Sequence, residues 1–180
     1  MDMSIFNNIS WRGRVAYAIM CLEKYLTTND SNKDWSPLSK KLWAVTDGKM
    51  FLDEWSDHIV DLLPECFFAF KNYASSDFTY LTEEEYNTFK ILYEGLGEDF
   101  SQLLEFIHEM EEVYAYTVID DNGEKSAEVL EDIVKILEKN NISLPDPNIV
   151  SFSRFDEKEG RGEPFDGTKL SIVLNKSNLQ

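Results

Sequence analysis

Few residues in this chain have the type and spacing that metal binding requires. Glu105 and His108 are three residues apart, as in helical di-iron sites, but those sites need a second such pair and two further glutamates. The chain has one other histidine, His58, which shares a helix face with Glu54 but has no glutamate three residues before it. A carboxylate-rich metalloenzyme is therefore the least favoured function, and we expect neither a metal nor another cofactor.

The sequence gives little support for nucleophilic catalysis. Neither Cys21 nor Cys66 has a histidine nearby along the chain, although a pairing in space stays open, and there is no G-x-S-x-G motif. The glycines around Arg161 form too short a loop for phosphate, and the neighbouring acids would repel it. Two separated free cysteines favour a reducing compartment. We expect a cytoplasmic protein that is not an enzyme.

Negative charge is concentrated in one part of the sequence. Residues 50–124, the central acidic segment, contain 19 Asp and Glu but only Lys71 and Lys90, which gives a net charge of −17. Residues 1–49 and 125–180 carry +2 and −2, so this segment accounts for the charge of the whole chain. Such a segment repels itself when compact, and a basic partner is one candidate to offset that repulsion. The same charge argues against binding nucleic acid or anionic membranes.

The hydrophobic periodicity predicts a mainly α-helical, single-domain bundle of about six helices, spanning 1–180. No stretch approaches the ~20 apolar residues of a membrane span. The predicted N-caps are Ser10, Ser36, Thr82 and Ser126. The predicted helices cover about 11–26, 36–45, 52–63, 83–94, 98–115 and 126–139. We expect residues 145–180 to form an irregular or β-like segment packed on the bundle, with short strands near 149–155 and 170–174.

The helix predicted at 98–115 has glutamates on the side opposite its apolar stripe. Four of them fall within an arc of about 60° at 100° per residue. We call them the carboxylate row: Glu98, Glu105, Glu109 and Glu112. One interpretation is a solvated face, and the other is a landing site whose field steers a basic protein toward it. We predict that the row binds a partner. The second candidates for partner binding are the tail acids, which are Asp156, Glu157, Glu159 and Glu163.

Four short stretches are spread over most of the chain: WRGRVA at 11–16, LW at 42–43, LDEW at 52–55 and GRGEPFDG at 160–167. Together they resemble parts of bacterial immunity proteins from polymorphic-toxin and contact-dependent inhibition systems. The resemblance implies a small cytoplasmic protein that binds one toxin domain tightly and performs no catalysis.

We therefore expect an immunity protein that neutralises a basic cognate toxin, such as a nuclease. It would block the active or substrate-binding surface of that toxin. The alternative is a non-catalytic helical adaptor or scaffold protein. The sequence does not assign an oligomeric state.

Overall fold

Eight α-helices make up this computed structural model, which describes residues 1–114, 118–119 and 121–176, and the first of them packs against several of the others. This architecture confirms the expected mainly α-helical class. Short 3₁₀ turns connect several of the helices. The helices are α1 (Trp11–Asn29), α2 (Ser36–Trp43), α3 (Leu52–Val60), α4 (Pro64–Phe67), α5 (Glu83–Tyr93), α6 (Glu98–Glu112), α7 (Glu124–Lys139) and α8 (Ile172–Lys176).

The central helix, α1, is buried on all sides over its first thirteen residues, 11–23. It packs against α2, α6, α7 and α8. The Ser10 hydroxyl caps it by accepting a hydrogen bond from the backbone N–H of Gly13 at 3.1 Å. Gly13 permits close packing here, since a Cβ at this position would lie 2.6 Å from Cγ2 of Ile9. A helix buried in this way must satisfy its polar side chains from within the protein.

All six predicted helices are present, and two of the predicted start signals are correct. Ser10 caps α1, and the capping box at α5 forms in both directions. Thr82 Oγ1 accepts from the backbone N–H of Glu85 at 3.2 Å, while Glu85 Oε2 accepts from the Thr82 N–H at 3.0 Å. These signals were readable because both partners of each bond lie within one helical turn of sequence.

The other two predicted caps were wrong. Trp35, not Ser36, occupies the N-cap position of α2, and the side chain of Asp34 accepts the Ser36 N–H at 3.0 Å. Ser126 lies inside the first turn of α7, where its hydroxyl donates to the carbonyl of Gly123 at 2.9 Å. Two helix ends also differ. α3 stops at Val60, with α4 beginning at the proline, and α6 ends at 112; residue 115 lies outside the described residues.

The C-terminal segment forms 3₁₀ turns and α8 in place of the two short strands that its alternating sequence predicted. Among residues 1–114, 118–119 and 121–176 the only β pairing is an isolated antiparallel bridge between Ile9 and Arg154. Next to it, the backbone N–H of Ser10 donates to the carbonyl of Ser153 at 2.9 Å. The segment thus packs along the start of α1, and the irregular alternative is the one the structure has.

Candidate protein-binding surface

The carboxylate row lies on the side of α6 that faces away from the core. The buried side of α6 packs against α1, α3 and α7. On the opposite side Glu98, Glu109 and Glu112 are exposed, whereas Glu105 is half-buried. The helical periodicity had placed these four residues on one side, and the structure keeps them there. Their role in binding a partner stays a prediction.

Few carboxylates of the central acidic segment are neutralised inside the protein. In the part of the chain that the structure describes, the ion pairs of this segment with lysine are Lys41–Glu85 and Lys139–Asp99, both at 2.8 Å. His108 Nδ1 also lies 3.7 Å from Glu112 Oε2, but burial lowers the pKa of this imidazole and so disfavours its charged form. Asp61 is satisfied differently, because its Oδ2 accepts the consecutive backbone N–H groups of residues 79, 80 and 81 at 3.1, 2.8 and 3.1 Å. Most of the remaining negative charge therefore faces solvent without a basic neighbour.

Carboxylates from separate elements converge around Cys66 of α4. Burial raises the pKa of this thiol, and the nearby charges of Glu65, Asp61, Asp77 and Glu105 raise it further. Partial burial, followed by the charge of Glu65, likewise raises the pKa of Glu105. The acids of the central segment thus approach one another in space, and Cys66 lies in the opposite environment to that of a reactive thiolate.

Helix α3 extends the acidic surface beside α6. Its outward residues Asp53, Glu54 and Asp57 are all exposed, and the helix packs against α6. Burial raises the pKa of Glu111 of α6, a hydrogen bond with Ser56 of α3 lowers it, and the charges of Glu112 and Asp53 raise it further. We call Asp53, Glu54, Asp57 and the carboxylate row together the acidic face.

The two histidines make structural contacts. His108 is buried between α6 and α3, where Nε2 lies 2.8 Å from Oγ of Ser56, and burial lowers its pKa. The 3.7 Å between Nδ1 and Glu112 Oε2 is too long for the hydrogen bond that orients a catalytic imidazole. His58 stacks on Tyr80 with ring centroids 4.2 Å apart. No group of three or more His, Cys, Asp or Glu among the described residues is placed to hold a metal ion.

The tail acids are less suited than the carboxylate row to attract a basic partner. They are exposed except for Glu157, which is half-buried and accepts the backbone N–H of Arg154 at 3.2 Å. Asp156 pairs with the Arg154 side chain, and Glu163 pairs with Lys158 at 3.4 Å. Since neighbouring cations balance two of these four carboxylates, the structure favours the row over the tail as the source of an attractive field.

Buried Arg14 is a structural residue whose role the helical pattern of the sequence does not indicate. Its guanidinium donates to the carbonyls of Phe6 at 2.8 Å, Asn122 at 2.7 Å and Gly123 at 2.5 Å, and to the hydroxyl of Ser126 at 2.9 Å. Burial lowers its pKa to about 10. Arg14 therefore ties α1 to the turns before α1 and α7.

Arg12 and Glu23, also buried in α1, hold the C-terminal segment in the same manner. Arg12 Nη1 donates to the carbonyl of Gly162 at 2.6 Å. Glu23 accepts from Trp43 Nε1 at 2.8 Å and from Ser171 Oγ at 2.6 Å. One feature of the sequence indicates that these charged residues are buried, because α1 has too few polar positions to form a solvated face.

Comparisons with protein-family models, with curated proteins and with solved structures gave no match to this chain. None of the helices in the described ranges has the length and apolar character needed to cross a membrane.

Proposed function

We propose that this protein is a bacterial, cytoplasmic immunity protein. It binds a basic toxin domain, such as a nuclease, and neutralises it by covering its active or substrate-binding surface. The acidic face meets the basic cleft of the toxin, and no catalysis is involved. The observation that carries this proposal is the position of the acidic face, which is outward-facing and has few basic partners within the described residues.

The C-terminal end of α6 supports a binding role because its charge opposes helix stability. Glu109, Glu111 and Glu112 lie at the negative end of the helix dipole, and the last turn of α6 contains no basic residue. Each unfavourable charge at a helix end costs about 0.3–1 kcal/mol when it is exposed. Carboxylates kept at such positions are what we expect of a surface retained for a partner.

The mechanism is electrostatic and steric. A field from unpaired carboxylates steers a basic protein into encounter, and at low salt this raises association rates by about 10- to 1000-fold. A nuclease cleft is basic because it must neutralise the phosphates of its substrate. Carboxylates that occupy that cleft satisfy the same cations and exclude the substrate.

The direct test of this function is co-expression with the product of the neighbouring gene, which for an immunity protein is the toxin. We expect the toxin alone to arrest growth, the pair to restore it, and the two proteins to purify as a complex. A variant with Glu109→Lys and Glu112→Lys should rescue less well at equal abundance. A neighbouring product that binds tightly but has no toxicity would favour the adaptor function. If it neither binds nor inhibits growth, the immunity proposal is wrong.

A further inference from the structure

A cleft of about 430 Å³ lies where α2 packs beside α3. Ala44, Met50 and the buried indole of Trp55 give it an apolar lining. The indole N–H of Trp55 already donates to the carbonyl of Lys41 at 3.0 Å, so it is not a free donor for a ligand. The volume of the cleft falls within the range of roughly 300–1000 Å³ that is usual for ligand-binding clefts.

One of the two lysines that line the cleft is paired with a carboxylate of the cleft. Lys41 pairs with Glu85 at 2.8 Å, and both residues line the cleft. Lys40 lies close to Asp34, whose pKa is lowered by its hydrogen bonds to Ser36 and, to a smaller extent, by Lys40. Because the charge of Lys41 is offset by Glu85, the cleft selects for apolar character more than for an anion.

Exposed aromatic residues adjoin the cleft. Phe51, which follows the lining residue Met50, is 79% exposed. Tyr80 is 38% exposed and stacks on His58, which also lines the cleft. Large exposed apolar side chains beside a concave site are typical of a surface that binds another protein.

Helix α3 connects the cleft to the acidic face. His58 and Trp55 lie on the side of α3 that lines the cleft, and Ser56 lies on the side that contacts α6. The exposed carboxylates of Asp53, Glu54 and Asp57 occupy the helix surface between these two sides. An apolar cleft therefore borders a field of uncompensated negative charge.

From this arrangement we infer that the cleft binds one aromatic or long aliphatic side chain carried by a basic segment of the partner protein. Lysine or arginine residues beside that side chain meet Asp53, Glu54 and Asp57. The inference rests on the proposed function, since the same basic partner supplies the segment. The cleft provides the buried anchor that slows dissociation, while the acidic face accelerates encounter.

Methionine methyl groups offer a direct test with the intact protein. Two synthetic peptides serve as probes, with the same lysines and either one Trp or one Ser at the centre. NMR of the protein labelled with ¹³C at its methionine methyls then reports binding at Met50, assigned with Met50→Leu, while the buried methyls of Met20 and Met110 serve as internal references. At about 1 M salt, which screens surface charge, we expect the Trp peptide to shift the Met50 signal. We also expect it to bind about tenfold more tightly than the Ser peptide.

Variants at exposed Phe51 and half-buried Met50 are compared with a control at another exposed apolar residue. Phe51→Ser and Met50→Gln should abolish the preference for the Trp peptide. Ile91→Ser, which removes a 66% exposed side chain from α5, should leave that preference intact. With the neighbouring gene product, Phe51→Ser should raise the dissociation rate about tenfold and leave the association rate nearly unchanged.

The outcomes separate this inference from the proposed function. Equal affinities for the two peptides with an unmoved Met50 signal would overturn the cleft inference, while salt-dependent binding at the acidic face would survive. Conversely, a Met50 response to the Trp peptide combined with no binding of the neighbouring gene product would refute the proposed function alone. The inference that the cleft binds an aromatic side chain of a basic segment would then stand.

Discussion

Glu23, in the middle of α1, accepts a hydrogen bond from the hydroxyl of Ser171 at 2.6 Å. The two residues are 148 positions apart in the chain. The same carboxylate also accepts the backbone N–H of Ile172 at 2.8 Å and the indole N–H of Trp43 at 2.8 Å. One buried anion thus fastens α8 to α1 and α2.

Glu23→Gln should destabilise the protein and release α8. Glutamine fits the space, but its amide group presents donors to neighbours that are themselves donors, and each unsatisfied buried group costs about 1–3 kcal/mol. Urea unfolding measures the loss, and hydrogen exchange of the amides of 172–174 reports the release. Glu128→Gln, at an exposed position on α7, is the matched control. Equal stability of the two variants would contradict the anchoring role.

Arg14→Lys should cost about 3 kcal/mol or more, although the charge is kept. The guanidinium makes five hydrogen bonds in a planar arrangement, and an ammonium with three donors leaves buried acceptors unsatisfied at about 1–3 kcal/mol each. Denaturant unfolding gives the value. Arg154→Lys, at an exposed arginine, should stay within about 0.5 kcal/mol of the original protein. A similarly small effect at Arg14 would show that its hydrogen bonds are dispensable.

The pH dependence of the free energy of unfolding should show the effect of the buried Glu111 carboxyl. Burial raises the pKa of this carboxyl above 4.5, and its Oε1 accepts no hydrogen bond from the described residues. The folded protein therefore holds this proton more tightly than the unfolded chain, and its contribution to stability is lost as pH rises through the folded pKa. Glu111→Gln should accordingly gain stability relative to the original protein between about pH 4.5 and neutrality.

Paired urea titrations across that pH range measure the difference for Glu111. Glu94→Gln, at an exposed position, controls for the loss of one negative charge. Burial also lowers the pKa of neighbouring His108, so protonation of this histidine destabilises the fold at low pH and opposes the effect of Glu111. The stability of each variant must therefore be compared with that of the original protein at the same pH. A Glu111→Gln difference that is constant with pH would refute the assignment.

Charge removal at the two ends of α6 should have opposite effects on stability. Glu109→Gln and Glu112→Gln remove charges that oppose the helix dipole, so each should stabilise the fold by about 0.3–1 kcal/mol at low salt. Glu98→Gln removes a favourable charge from the first turn and should destabilise it by a similar amount. Thermal unfolding at low and high salt gives both values. Effects of the same sign at both ends would contradict the view that Glu109 and Glu112 are kept at the expense of stability.

The parts of the fold that the sequence predicted are those encoded locally. The apolar stripe and carboxylate row of α6 repeat with the period of one helix, and the Thr82–Glu85 capping box lies within one turn. The roles of Arg14 and Glu23 were not predictable in this way, because their partners are distant in sequence. The strand predicted near 149–155 was wrong because a strand needs a partner elsewhere in the chain, and among the described residues this segment pairs only through the Ile9–Arg154 bridge.

The same distinction between local and long-range information applies to the candidate site. The acidity of α3 and α6 can be read from the sequence, but their contiguity follows from the packing of the two helices. The weakness of the tail acids appears only when Arg154 and Lys158 are seen beside them. The cleft beside Met50 arises from the juxtaposition of α2 and α3, which no local pattern encodes.

The most direct measurement of the central claim is the association rate with the neighbouring gene product, as a function of salt, for two variants of equal total charge. One carries Glu109→Lys and Glu112→Lys in the carboxylate row, and the other carries Glu124→Lys and Glu128→Lys at exposed positions of α7. We predict that the first variant associates about tenfold or more slowly at low salt and loses most of its salt dependence, while the second stays close to the original protein. Identical association kinetics for the two variants would contradict the claim that the carboxylate row receives a basic partner.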